Sequence, residues 1–268
     1  MRAITEADHR DRILRVLDQV RSEPERTLSL ADMADIAALS PFHAVRVFRE
    51  ITGYTPAAIQ TAVRVQEAKR LLAAEGSSVT DACYAVGFNS LGSFSQRFTA
   101  LAGMKPSEYR NAVANADELA DDLSRLHRQP LLRMHERHTV SGRITGDASR
   151  PAFYFVGLFP PGPPQGRPLR GDILDAPGNF VIRHVPDGLF AIYCAAVAHP
   201  EKSIDWVMPD SEWQTGGGQT VRMVCGMPVH SLEIELRPRI PVMAPLTTTV
   251  MAIPNLAEDA RFNHKLAV

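Results

Sequence analysis

What the chain lacks already narrows its class. Its three cysteines, Cys83, Cys194 and Cys225, are odd in number, far apart and without a C-x-x-C pair, which argues against a disulfide framework or a structural zinc site. They read as small buried apolar residues. No apolar run approaches the roughly 18–20 residues of a membrane span. The opening Met1-Arg2-Ala3-Ile4-Thr5-Glu6 turns charged where a secretion signal needs an apolar stretch, so the expectation is a cytoplasmic protein with no membrane partner. Nor is either sign of charge in excess: the net charge is −1, with 14 Lys and Arg against 13 Asp and Glu up to residue 112, and 15 against 17 beyond it. Bulk charge therefore supplies almost no pull toward a polyanion, and any nucleic-acid binding has to come from cations gathered on one face.

What is present fits two domains. At 268 residues, 45% hydrophobic, the chain exceeds one ordinary domain and matches average globular composition. Up to about residue 130 apolar residues recur at three and four, as in Ile13, Val16, Leu17 and Val20, which is a helical pattern. Beyond it, short runs separated by Gly and Pro read as strands: Phe153 to Val156, Phe180 to Ile182, Leu189 to Tyr193, Thr220 to Val224, Leu232 to Leu236 and Thr247 to Ile253. The fold class expected is α then β: an all-α domain over 1–115, a linker helix and extended segment over 116–138 with its helix near Asp117 to His127, and a mostly β, sandwich-like domain over 139–268.

The helical part repeats at an offset of about 50. Ser40, Phe48, Gly53 and Pro56 recur as Ser90, Phe98, Gly103 and Pro106. Ser29 with Asp32 and Ser78 with Asp81 are S-x-x-D capping boxes, each opening a helix of about eight residues. Each helix breaks, at Ala38-Leu39-Ser40-Pro41 and at Gly87-Phe88-Asn89-Ser90, and a second helix follows at once. Ser40 suits an N-cap with Pro41 at the first helical position, and Gly87 suits a left-handed residue. Two helix-turn-helix units result.

Projecting the second helix of each unit puts Ala44, Phe48 and Ile51, and at identical spacing Phe94, Phe98 and Leu101, on core faces. The opposite faces carry Phe42, Val45, Arg46 and Arg49 in one unit, and Leu91, Gly92, Ser95 and Gln96, with Ser93 in the first turn, in the other. Arg46 suits a guanine edge, Gln96 an adenine edge, and Phe42, Val45 or Leu91 a thymine methyl. Arg49 and Arg97 suit phosphates. Between the units, Thr55 and Pro56 open a segment of about 20 residues free of Gly and Pro, a rod near 30 Å against the ~34 Å pitch of DNA. Two helices on such a rod reach successive major grooves from one chain, which implies an asymmetric or bent site.

These residues resemble the DNA-binding domain of the AraC/XylS family of bacterial transcription regulators. The resemblance covers about residues 12–112 and rests on Ser40-Pro41, Arg46-Val47-Phe48-Arg49, Gly53-Tyr54-Thr55-Pro56, Arg64, Glu67 to Leu72, Val79 to Ala82, Gly87 to Ser90, Phe94 to Phe98, and Gly103-Met104-Lys105-Pro106-Ser107-Glu108-Tyr109-Arg110. It implies base-facing positions at Phe42, Val45, Arg46, Leu91, Gly92, Ser93 and Gln96, with Leu91 and Gly92 standing where polar residues are often found. The partners it implies are double-stranded DNA, RNA polymerase at an activated promoter and a small-molecule effector of unidentified chemistry. The domain order is a departure, because relatives mostly place a cupin-like sensor first. The later segments Val140 to Gly146, Val156 to Phe159, Ala176 to Phe180 and Val185 to Phe190 instead resemble the carboxypeptidase-regulatory-like or transthyretin-like β-sandwich, with Pro186-Asp187-Gly188 expected to close a hairpin by a type I turn.

Enzyme chemistry is not expected. His135 and His138 beside Glu136, and His184, His199 and His230 near strands, have no ligand spacing with one another or with cysteine, so no metal or other cofactor is called for. No G-x-S-x-G elbow appears, and Gly216-Gly217-Gly218-Gln219 after Trp213 lacks the Lys and Ser/Thr of a phosphate loop. The Phe159-Pro160-Pro161-Gly162-Pro163-Pro164-Gln165 run reads as a surface loop of polyproline character, or a docking peptide. The function expected is a sequence-specific transcription regulator with a C-terminal sensing or interaction domain. The alternatives are an architectural DNA-bending protein of low specificity, and a protein-interaction module built on the β domain.

Overall fold

A computed structural model describes residues 2–74, 76–115, 137–146, 152–198 and 214–238. Among them seven helices precede eight strands. The expected linker helix near Asp117 to His127, the strand at Thr247 to Ile253, and His135, His199 and Trp213 lie outside the described residues.

Helix α1 (Arg2–Ser22) buries the four apolar residues spaced at three and four, Ile13, Val16, Leu17 and Val20. They pack with Met33 and Ala37 from α2 (Leu30–Ile36) and its cap, and with Val47 and Phe48 from α3 (Pro41–Thr52). This is the core of the first unit. The Ser29 capping box forms as the sequence implies, the Asp32 N–H donating to Ser29 Oγ at 3.1 Å and the Ser29 N–H to Asp32 Oδ2 at 2.8 Å. After α2 the chain turns through Ala38 at φ 51°. Arg12 of α1 closes the turn by donating to the carbonyls of Ala37 and Ala38 at 3.2 and 2.9 Å.

Helix α4 (Pro56–Ala73) is the rod, capped by Thr55 Oγ1, which accepts from the Ala58 N–H at 3.2 Å. Its 18 residues make it about 27 Å long. It belongs to both units: Ile59 and Val63 enter the first core, whereas Val65, Ala68 and Leu72 enter a second. That second core is completed by α5 (Val79–Ala85), α6 (Leu91–Ala102) and α7 (Pro106–Ala114). A run of aromatic rings passes through it, Phe88 edge-on to Phe94 at 5.3 Å, Phe94 tilted against Phe98 at 5.6 Å and Phe98 edge-on to Tyr109 at 5.6 Å.

The β part consists of two sheets. One has the order β4-β1-β7, with β1 (Val140–Thr145) antiparallel to β4 (Asn179–Ile182) and parallel to β7 (Val229–Glu235). The other, all antiparallel, has the order β3-β2-β5-β6-β8, from β2 (Ala152–Phe159), β3 (Arg170–Leu174), β5 (Gly188–Ala198), β6 (Gln214–Met223) and β8 (Arg237–Pro238). Val140, Ile144, Phe180, Ile182 and Ile234 from the first sheet meet Tyr154, Val156, Leu158, Ile192, Cys194 and Met223 from the second in one core.

Three local expectations change. Pro186-Asp187-Gly188 closes no hairpin, because β4 and β5 belong to different sheets. The turn crosses between the sheets, and Asp187 Oδ1 accepts from the Gly226 N–H at 2.9 Å. Strand β3 escaped the sequence reading because Arg170, Gly171 and Asp172 break the alternation; Asp172 instead bonds along the chain and across to β4, its Oδ2 accepting from the Val181 N–H at 3.0 Å. The Gly216-Gly217-Gly218 run extends β6 as a bulge: the register jumps from Ile192↔Gln219 to Tyr193↔Gly217. Gly217 sits there at φ 105°, and a Cβ on it would overlap the Ile192 carbonyl oxygen.

The outer face of the five-stranded sheet meets the helices at one point, Phe153, while Phe155 and Phe159 of the same strand pack with one another and with Ile173 and Tyr193. Tyr154, Val156 and Leu158 of β2 face the sheet-to-sheet core, while Phe153 on the other face is buried among the residues of the second helical core, joined there by Ile173 of β3. A strand apolar at consecutive positions is one buried on both faces.

Candidate nucleic-acid interface

The two recognition helices, α3 and α6, are built alike. Ser40 and Ser90 cap them, accepting from the N–H groups of His43 and Ser93 at 3.4 and 3.3 Å. Gly53 and Gly103 end them in left-handed conformations at φ 76° and 84°. The inward faces hold Ala44, Val47 and Phe48 in α3, and Phe94, Phe98 and Leu101 in α6. Val47 takes the deep position expected of Ile51, which is half-buried. His43 also turns inward, its ring edge-on to His9 of α1 at 5.3 Å with Nε2 buried.

The outward faces present the residues singled out from sequence. Phe42 is 87% exposed, an unusual state for an aromatic ring on a helix. Arg46, Arg49, Gln96 and Arg97 are exposed, Leu91 is 39% exposed, and Val45 is half-buried. A Cβ added to Gly92 would meet nothing within 4 Å, so α6 is open at that point to a close approach. Among the described residues no hydrogen bond or ion pair holds the side chain of Arg49, Gln96 or Arg97. Ser93 is partly engaged, its Oγ 2.8 Å from Ser90 Oγ and donating to the Ser90 carbonyl at 3.1 Å.

Arg46 is engaged by a residue the sequence reading passed over. Its Nη1 donates to Glu50 Oε1 at 2.9 Å, one turn along α3, with both side chains more than half exposed. The signal was legible as an Arg and a Glu at i and i+4. An exposed pair of this kind contributes about 0–1 kcal/mol, less than the 1–3 kcal/mol of discrimination a bidentate Arg–guanine contact supplies. Glu50 therefore parks the guanidinium without trapping it.

Arg64, known from the sequence only as a position of the resemblance and given no role there, ties the two units to one another. Midway along α4, it donates to the carbonyls of Pro24 and Glu25 at 2.8 and 3.3 Å and to Thr27 Oγ1 at 2.7 Å, while its guanidinium lies 6.0 Å from the Phe88 ring centroid. Burial holds its pKa below the ordinary arginine value. The turn at Gly87, at φ 79°, presses on the same loop so closely that a Cβ would overlap the Glu25 carbonyl oxygen. One guanidinium thus gathers the first unit's α1–α2 loop, the rod and the second unit's turn.

No group of three or more His, Cys, Asp or Glu side chains among the described residues could hold a metal ion, and no described helix is long and apolar enough to cross a membrane.

Residues 33–112 match a family model described as a helix-turn-helix domain. Over 98 residues the chain is 35% identical to the HTH-type transcriptional regulator GlxA of Rhizobium meliloti (strain 1021), a match covering 37% of this chain and 30% of that protein. Over 93 residues it is 36% identical to the bifunctional transcriptional activator/DNA repair enzyme Ada of Escherichia coli (strain K12), covering 35% and 26%. The chain spans about a third or less of the length of the curated relatives it matches. Among solved structures it is similar to the DNA-binding domain of AdpA, a global transcriptional factor in complex with a target DNA, with a TM-score of 0.37 and 26% identity over 38% of this chain and 93% of that one.

Proposed function

We propose that the protein, whose residues 33–112 match a helix-turn-helix domain, is a transcription regulator of the AraC type that reads two successive major grooves of double-stranded DNA, one with α3 and one with α6. The observation that carries this reading is the pairing of two equivalent outward faces on a single rod. Phe42, Val45, Arg46 and Arg49 on one helix, and Leu91, Gly92, Ser93, Gln96 and Arg97 on the other, are presented to solvent or near it by helices whose inner faces are packed. Exposed Phe42 and Leu91 are costly in water and useful against thymine methyls. Arg46 leaves Glu50 for a guanine edge, Gln96 addresses an adenine, and Arg49 and Arg97 meet phosphates. The first 115 residues act as the reader, and the part from 139 onward senses a ligand or contacts a partner such as RNA polymerase.

Binding titrations with the full chain test this reading. Arg46→Ala costs about 1–3 kcal/mol on a selected site and relaxes one base position, leaving non-specific binding nearly intact. Equal losses on all sequences point instead to an architectural DNA-bending protein.

A further inference from the structure

The Pro160–Pro168 loop lies at the surface, with Pro160, Pro161 and Gly162 exposed, but it turns inward at Gly166 and Pro168, which are buried. Its second half lies against the ends of the recognition helices. The Gly166 N–H donates to the Leu101 carbonyl of the last turn of α6 at 2.8 Å. A Cβ on Gly103, the cap of α6, would stand 3.0 Å from Arg167 N, and one on Gly166, at φ 67°, 2.8 Å from the Ala100 carbonyl oxygen. Three residues earlier, Pro163 lies against the other recognition helix, with its Cγ 3.4 Å from where a Cβ on Gly53 would stand. Three residues span at most about 11 Å, so the loop touches the C-terminal caps of both helices within a very short reach. Its origin in the β part is fixed as well: Tyr193 of β5 donates its hydroxyl to the Gly162 carbonyl at 2.9 Å, and the Leu169 N–H donates to the Leu158 carbonyl at 2.7 Å. Five prolines in nine residues stiffen the segment by restricting its φ angles and lowering the entropy lost on ordering. Beside it, Phe153 and Ile173 pack the sheet against the second unit's core, whereas among the described residues the core of the first unit holds none of the β part.

We propose that this loop is a strap through which the β part holds the caps of both recognition helices and, together with the rod and Arg64, tunes the separation between them. The β part is anchored on the second unit, and the strap reaches from it to the first. A ligand or partner that shifts β5 and Tyr193 pulls on the strap and changes the helix separation. The consequence for half-site spacing rests on the two-groove reading; the mechanical claim does not.

The test is a spin-label distance measurement on the full chain without DNA. Labels are placed at Phe42→Cys and Gln96→Cys in a Cys225→Ser background, since Cys225 is the exposed thiol and Cys83 and Cys194 are buried. Gly166→Val, which drives a side chain into the Ala100 carbonyl, broadens the distance distribution and shifts its mean. Tyr193→Phe, which removes one anchor and no packing, broadens it less and keeps the test valid if the Gly166 variant fails to fold. Distributions unchanged from the native loop in the folded variants overturn the strap. Whether the native chain binds DNA is scored in a separate titration, and its failure there sinks the regulator reading alone.

Discussion

At the scale of single residues the energetics turn on two charged groups. On the proposed reading Arg46 exchanges Glu50 for a base, and Glu50 brings a negative charge to a surface proposed to lie against phosphates. Glu50→Gln is expected to strengthen binding on all sequences by up to about 1 kcal/mol and to leave base preference unchanged, as read by titration on cognate and scrambled duplexes. Lys69 is the other group. It is fully buried in α4, its Nζ 5.5 Å from the Tyr109 ring centroid, and burial lowers its pKa from 10.5 to about 7. Between those two values the unfolded chain binds a proton that the folded chain does not, so stability rises as pH climbs from about 7 toward 10 and is lowest below 7. Denaturant unfolding across that range is expected to show the rise, and Lys69→Met to raise stability at pH 6 and flatten the slope. Arg46 and Gln96 were legible in the sequence because they fall opposite an apolar face at helical spacing. The burial of Lys69 was not, because a lysine in Glu67-Ala68-Lys69-Arg70 reads as surface charge until α7 is folded over it.

At the scale of elements, most short-range signals of the helical part form as read, although Ser78 with Asp81 makes only half of its box, the Ser78 hydroxyl donating to Asp81 Oδ2 at 2.6 Å. The Ser29 box, the Ser40 and Ser90 caps, Thr55 ahead of the rod and the glycine ends of both recognition helices all form as their residues imply. What could not be read locally is what long-range contacts decide: the parallel pairing of β1 with β7, the passage from β4 to β5 between sheets, and the loop contacts that give Arg64 its role. Gly87 belongs to both classes. Its left-handed turn was expected, while the Glu25 carbonyl pressed against it was not. Gly87→Ala therefore pays conformational strain and a backbone clash together, and is expected to destabilise by more than about 1 kcal/mol. Arg64→Ala, which strands the carbonyls of Pro24 and Glu25, is expected to cost about 1–3 kcal/mol. Thermal unfolding of both variants checks these values.

At the scale of the whole molecule, the helical and β parts are joined by more than a linker. Phe153 and Ile173 enter a helical core, and the strap touches both recognition helices. The run Phe153-Tyr154-Phe155-Val156 carried a hint of this, since an unbroken apolar strand needs cover on both faces, but the sequence did not say that Phe153 would meet helices while Phe155 packs with Phe159 of its own strand. Within the helical part the rod α4 is about 27 Å long, shorter than the ~34 Å pitch of B-DNA. On the proposed two-groove reading a rod that short favours a bent site.

The central claim is that one chain reads an asymmetric site through two equivalent helices. Its most direct test is enrichment of genomic fragments on purified full-length protein at about 150 mM salt, with native and Arg46→Ala chains compared. The account predicts a single asymmetric motif with two half-sites about one helical turn apart, and loss of information in one half-site with Arg46→Ala. Recovery of fragments without regard to sequence, or a motif unmoved by the substitution, would contradict it.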